Sequence, residues 1–141
     1  MSVRTWKSAE EEFASWWWKK SSYCFQFHDT RAAMGATGSR RVFTTAHPSD
    51  FLVTDEGVMF YAEVKSSENP VSFPFTNVKP SQWNAARQQV AAGGNYFFFL
   101  FSLSNKVWYR IPGSYLVPLK EQGIKSVKWA ELLDFLWTPP Q

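Results

Sequence analysis

Two carboxylates and a lysine stand near the middle of this chain, in Pro48-Ser49-Asp50 and Glu63-Val64-Lys65. Brought to one point, such groups can hold a divalent cation, orient a water and hydrolyse a phosphodiester. Hard Mg²⁺ takes oxygen ligands and keeps several waters, so Asp50, Glu63, the Val64 carbonyl and substrate phosphate oxygens form a fitting set, with Mn²⁺ as the alternative ion. Lys65, near metal and phosphate, would position the attacking water and stabilise the negative transition state. The competing reading of the same residues is a solvated cross-strand ion cluster worth about 0–1 kcal/mol.

The intervening residues decide whether the groups meet. Phe51-Leu52-Val53-Thr54 and Val58-Met59-Phe60-Tyr61-Ala62 are rich in β-branched and aromatic residues, and Asp55-Glu56-Gly57 between them is a turn signal. If Glu56-Gly57 is a two-residue loop, Asp55 faces Val58, and counting outward puts Asp50 opposite Glu63 with Cβ atoms about 5 Å apart. Lys65 follows on the same face. A three-residue loop would shift the register by one and part the carboxylates.

Other elements must position this hairpin. Residues 8–20 read as a helix, with Ser8 as N-cap and Glu11 completing a capping box. Residues 23–28 alternate as a strand, and 69–78, with Pro70 and Pro74, form an extended loop. Pro80 opens and Gly93-Gly94 closes a helix running through Val90. Residues 95–103 and 106–111 form a second hairpin around Ser104-Asn105, and 126–137 read as a final helix. A helix, then strands around a crossover helix, predicts an α/β fold with a mixed sheet flanked by helices.

The arrangement resembles the PD-(D/E)xK nuclease superfamily. The order that follows it is similar to the RecU-like and Hjc-like Holliday junction resolvases: Ser66-Ser67, then Ser72-Phe73-Pro74-Phe75-Thr76-Asn77-Val78, Gln82, Gly93-Gly94, the apolar run 96–101 and Val107-Trp108-Tyr109-Arg110-Ile111-Pro112. The resemblance spans about 50–116, with an echo in Gly123-Ile124-Lys125-Ser126. It implies a restriction-endonuclease-like core, metal ligation by Asp50 and Glu63, a catalytic Lys65, and a place beside the active site for Gln82. It also implies an acidic residue on the first helix. Glu10, Glu11 and Glu12 compete for that part, and Glu10, in line with Phe13 and Trp17, is preferred; the alternative is that all three complement the helix dipole. Two departures stand out. Only 34–46 occupy the place of the long stalk of cellular members, which fits a compact, phage-encoded or archaeal-type protein, and Pro48 replaces the usual Thr.

At 141 residues the chain reads as one domain, 1–141, with a short basic loop at 34–46. The single Cys24 lies in an apolar run and reads as a small buried hydrophobe. The amino-terminal stretch lacks a signal-peptide pattern, and the longest apolar run, 96–101, is too short for a membrane helix. Cytoplasmic placement without a membrane partner is expected. The net charge of +3 is unevenly spread: residues 69–120 carry no Asp or Glu but contain Lys79, Arg87, Lys106, Arg110 and Lys120. Arg31, Arg40 and Arg41 precede the metal strand. With Lys79 and Arg87 they are the candidate DNA contacts, against the alternative of an ordinary solvated loop.

Eight tryptophans include the consecutive Trp16-Trp17-Trp18, which cannot all face one core. A dimer interface is preferred over base stacking, and the resemblance implies a homodimer too. Trp83, Trp108 and Trp137 are expected in packing. His28 and His47 lack zinc-site spacing, and no nucleotide-binding glycine loop is present, so no nucleotide cofactor is expected. The reading is a Mg²⁺-dependent endonuclease acting on branched DNA, a four-way junction above all, in recombination and repair. Its rivals are a restriction-type or repair endonuclease and a non-catalytic DNA-binding module.

Overall fold

The computed structural model describes residues 6–28 and 47–140. Arg31, Arg40, Arg41 and the predicted basic loop at 34–46 lie outside them.

A mixed six-stranded sheet organises the chain. Strands β1 (Ser22–Gln26), β2 (Phe51–Asp55) and β3 (Val58–Ser67) run antiparallel in succession. The β2–β3 turn has two residues, Glu56 at φ 50° and Gly57 at φ 85°. Two successive positive φ values make the turn whose twist matches a tight hairpin, and they set Asp55 opposite Val58 and Phe51 opposite Ala62. The expected register is therefore present.

From β3 the chain crosses over through the short strand β4 (Ser72–Pro74), a 3₁₀ turn at Phe75–Asn77 and helix α2 (Pro80–Ala91). It returns as β5 (Tyr96–Ser102), parallel to β3, and folds back as β6 (Val107–Pro112). Sheet order is β1-β2-β3-β5-β6-β8, the last being Leu136–Trp137, so β3 and β5 are central.

Residue alternation along β5 feeds two cores. Phe99 joins Phe13, Phe51 and Phe60 under the first helix, α1 (Trp6–Ser15), while Phe98 and Leu100 join Trp83, Ile111 and Leu116 on the face covered by α2 and α3 (Gly113–Glu121).

Three expectations are corrected. The first helix begins at Trp6, so Ser8 lies inside it instead of capping it, and it stops at Ser15 instead of 20. The reason is the tryptophan run. Beyond Ser15 the backbone tightens, with Trp16 N–H donating to Phe13 O at 3.1 Å, which lets Trp16 pack on Trp108 and Trp137 while Trp17 is buried against Phe60. Trp18 is left 88% exposed.

Helix α3 was not anticipated, because Gly113 opens it and Pro118 interrupts it. A Cβ on Gly113 would stand 3.0 Å from the Tyr96 carbonyl, so close packing selects glycine there, and the exposed Pro118 forgoes a single intrahelical bond. The predicted final helix at 126–137 is instead β7 (Ser126–Lys128), a 3₁₀ helix at Trp129–Phe135, and β8. Its ends are held extended by pairing: Phe73 with Val127, and Trp108 with Trp137. Tertiary pairing overrides local helix preference.

Candidate active site

Asp50 immediately precedes β2, one step beyond the Phe51–Ala62 pair and therefore beside Glu63. Its backbone and side chain are both tied down. The Phe27 N–H donates to Asp50 O at 2.9 Å, and Asp50 Oδ2 accepts the Val64 N–H at 2.8 Å. The preceding residues are fixed as well: the buried Ser49 hydroxyl donates to Phe51 O at 2.7 Å, and the Tyr96 hydroxyl donates to Pro48 O at 2.6 Å.

Glu63 faces the α2 side of the sheet in register with Phe98, and its exposure is 0%. Lys65 Nζ lies 3.1 Å from Glu63 Oε2, an ion pair that opposes the burial of this carboxylate. Two carboxylates are both acceptors, so Asp50 and Glu63 can bond to each other only by sharing a proton.

Burial is the main cause that pushes the Glu63 carboxyl well above its ordinary range; the Asp50 charge adds to it and Lys65 opposes it. Asp50 is also raised by burial, against the Val64 N–H, Lys65 and Lys79. Burial first, then the two carboxylates, pushes the Tyr96 phenol up, which keeps it a donor.

Of the three first-helix glutamates, Glu10 is the one turned to this cluster. Burial and the Asp50 charge push it up to about 7, with Lys65 and a hydrogen bond to Gln26 pulling it down. Glu11 is exposed, and Glu12 Oε2 accepts the Trp108 indole N–H at 3.0 Å, pinning α1 to the sheet. Among the described residues no group of three or more His, Cys, Asp or Glu side chains is arranged to hold a metal ion. The acidic centre is a pair, with Glu10 beside it.

Gln82 sits at the start of α2, where its Oε1 accepts the Lys79 N–H at 2.9 Å. It caps the helix and fixes the backbone of Lys79, whose charge reaches Asp50. Lys79 and Arg87 are both exposed on the α2 side. Arg110 points the other way: paired with Phe99 in register, it lies 4.4 Å from the Phe97 ring centroid on the α1 face, away from the carboxylates. His47 bonds the His28 carbonyl and stacks on Phe27. Cys24 is half-buried, and burial pushes its thiol up to about 11, which suits a packing residue.

Ser49, Tyr96 and Gln26 were missed as supports of the site. Ser49 lies within the Pro-Ser-Asp motif and was open to detection as a turn hydroxyl. The other two act across long sequence separations that carry no local signal.

The fold is restriction-endonuclease-like: a mixed sheet flanked by helices, with the Asp50–Glu63–Lys65 cluster beside the central strands. A solved structure of Hjc, a Holliday junction resolvase from the archaeal hyperthermophile Archaeoglobus fulgidus, is similar to it over 90% of this chain and 89% of that chain, with a TM-score of 0.55 at 11% sequence identity. No protein-family model matches the chain, and no curated protein matches it in sequence. No helix among the described residues is long and apolar enough to cross a membrane.

Proposed function

We propose that this chain is a metal-dependent endodeoxyribonuclease that resolves four-way DNA junctions by paired nicks, acting as a homodimer. One observation carries the proposal. Glu63 is wholly buried beside a second carboxylate, with Lys65 as its ion-pair partner, which is a costly arrangement for a protein with no use for it.

The donor set fits a hard divalent cation. Asp50 and Glu63 would hold Mg²⁺ or Mn²⁺, with the Val64 carbonyl as a third protein oxygen. A bound ion of this kind acidifies a water and neutralises charge on phosphorus. Lys65, held against Glu63, would orient the nucleophilic water and stabilise charge developing on the phosphate. Glu10 would add negative charge at the edge of the pair. Lys79 and Arg87 would contact the backbone of branched DNA, and Gln82 would keep Lys79 in place through the helix cap.

Likeness to a junction resolvase at the level of fold supports the choice of substrate. A four-way junction has two-fold symmetry, so cutting both strands calls for two active sites, and the exposed Trp18 offers an aromatic surface for pairing.

The test is incubation with a labelled four-way junction and a linear duplex of matching sequence, with Mg²⁺ and with chelator. Paired, metal-dependent nicks near the crossover are expected. Equal cutting of both substrates would indicate a restriction-type or repair nuclease, and binding without cutting a DNA-binding module.

A further inference from the structure

A cavity of about 830 Å³ lies between α2, α3 and the 3₁₀ turn at Phe75–Asn77, distinct from the carboxylate cluster. Its volume is that of a small-molecule site, typically about 300–1,000 Å³. The floor is apolar and aromatic, formed by Phe75, Trp83 and Val117, all buried. The rim is cationic. Arg87, Lys120 and Lys125 line it, with the carboxylate of Glu121 beside them.

These parts are held in place. Lys120 Nζ stands 6.0 Å from the centre of the Trp83 ring, and the Trp83 indole N–H donates to Phe75 O at 3.2 Å. The Lys125 carbonyl accepts the Phe75 N–H at 2.9 Å, and Arg87 is hydrogen-bonded to Asn84. An apolar aromatic floor under a ring of cations is complementary to a group that is flat and apolar at one end and anionic at the other.

The cavity also has a direction. Val78 and Pro80 line its wall, and Lys79 between them is the residue whose charge reaches Asp50. A strand whose backbone passes Lys79 at the carboxylates would bring its neighbouring nucleotide to the cavity mouth.

We propose that this cavity takes one unpaired nucleotide of the bound DNA, with the base against the Phe75–Trp83–Val117 floor and the flanking phosphates on Arg87, Lys120 and Lys125. This rests on the nuclease reading above. It adds a way to read the branch: only DNA with a nucleotide out of the stack fills the cavity, and sequence-tolerant stacking of a base on an aromatic side chain supplies the preference.

The test measures binding by fluorescence anisotropy in chelator, where no cutting occurs, using a flush duplex and the same duplex with a one-nucleotide bulge. The bulged duplex is expected to bind about ten-fold more tightly. Ser81→Trp, on the exposed rim, would close the mouth without changing charge. It should remove that difference and leave flush-duplex affinity within about two-fold. Thr76→Trp, on the 3₁₀ turn that also lines the mouth, should act alike if Ser81→Trp does not fold.

Equal binding of both duplexes by the wild type would overturn the proposal while leaving the nuclease reading intact; binding to neither would overturn both. A preference that survives both tryptophan variants would also overturn it. If those variants instead shift the sedimentation of the protein alone, the cavity is a contact between copies of the chain and the nucleotide assignment falls.

Discussion

Lys65 Nζ stands 3.1 Å from Oε2 of Glu63, a carboxylate with 0% exposure, and among the described residues it is the cation paired directly with a buried centre that also contains Asp50 and is flanked by Glu10. One ammonium cannot balance that centre without help from protons or a metal. Both remedies leave measurable traces.

Removing the buried charge should stabilise the protein at the expense of its activity. Glu63→Gln keeps shape and drops the charge, so the metal-free protein should gain about 1–3 kcal/mol at pH 7 in urea unfolding while losing cleavage. A loss of stability would mean that Glu63 is a structural partner of Lys65 and nothing more.

The same centre sets a pH dependence. Glu63, Asp50 and Glu10 all hold protons more tightly folded than unfolded, because burial raises each. Their contribution is full below the ordinary carboxylate value and fades as pH rises through the folded values, which for Glu10 spans 4.5 to about 7. Metal-free protein should therefore unfold at lower urea at pH 8 than at pH 5, and excess Mg²⁺ should narrow the gap. Stability that climbs from pH 5 to 8 in chelator would contradict this.

Lys65→Met should lower cleavage by about 100-fold or more if Lys65 has the proposed role of stabilising developing negative charge, while junction affinity changes far less. Parallel loss of both would make Lys65 a binding residue.

Tyr96→Phe tests the support of Asp50. The lost hydrogen bond to Pro48 O is partly buried and should cost about 1 kcal/mol of stability. Because Pro48 is two residues from Asp50, Mn²⁺ affinity should fall as well; an unchanged affinity would reduce Tyr96 to a packing role.

Lys79→Gln should reduce the slope of log affinity against log salt by about 0.9 on junction DNA, the signature of one phosphate contact. An unchanged slope would remove Lys79 from the interface.

The juxtaposition of Asp50 and Glu63 was legible because a hairpin is local. Asp55-Glu56-Gly57 announces a two-residue turn, the turn sets the register, and the register brings Asp50 beside Glu63. The inward placement of Glu10 was legible from its helical spacing to Phe13, although Trp17, used for the same reading, lies beyond the end of α1. What failed depended on pairing between distant segments. Nothing near 126–137 shows that Val127 meets Phe73 or that Trp137 meets Trp108, and without those partners the segment reads as a helix. Tyr96 holding the Pro48 carbonyl spans 48 residues and was equally hidden. Helix α3 was concealed by Gly113 and Pro118, one present for close packing and the other tolerated at the surface.

The most direct measurement is a calorimetric titration of Mn²⁺ into the wild type, Asp50→Asn and Glu63→Gln, with circular dichroism to establish that each is folded. Saturable binding by the wild type and its loss in both variants is the expected result. No binding by the wild type, or equal binding by Glu63→Gln, would contradict the assignment of the buried carboxylate pair as a metal centre.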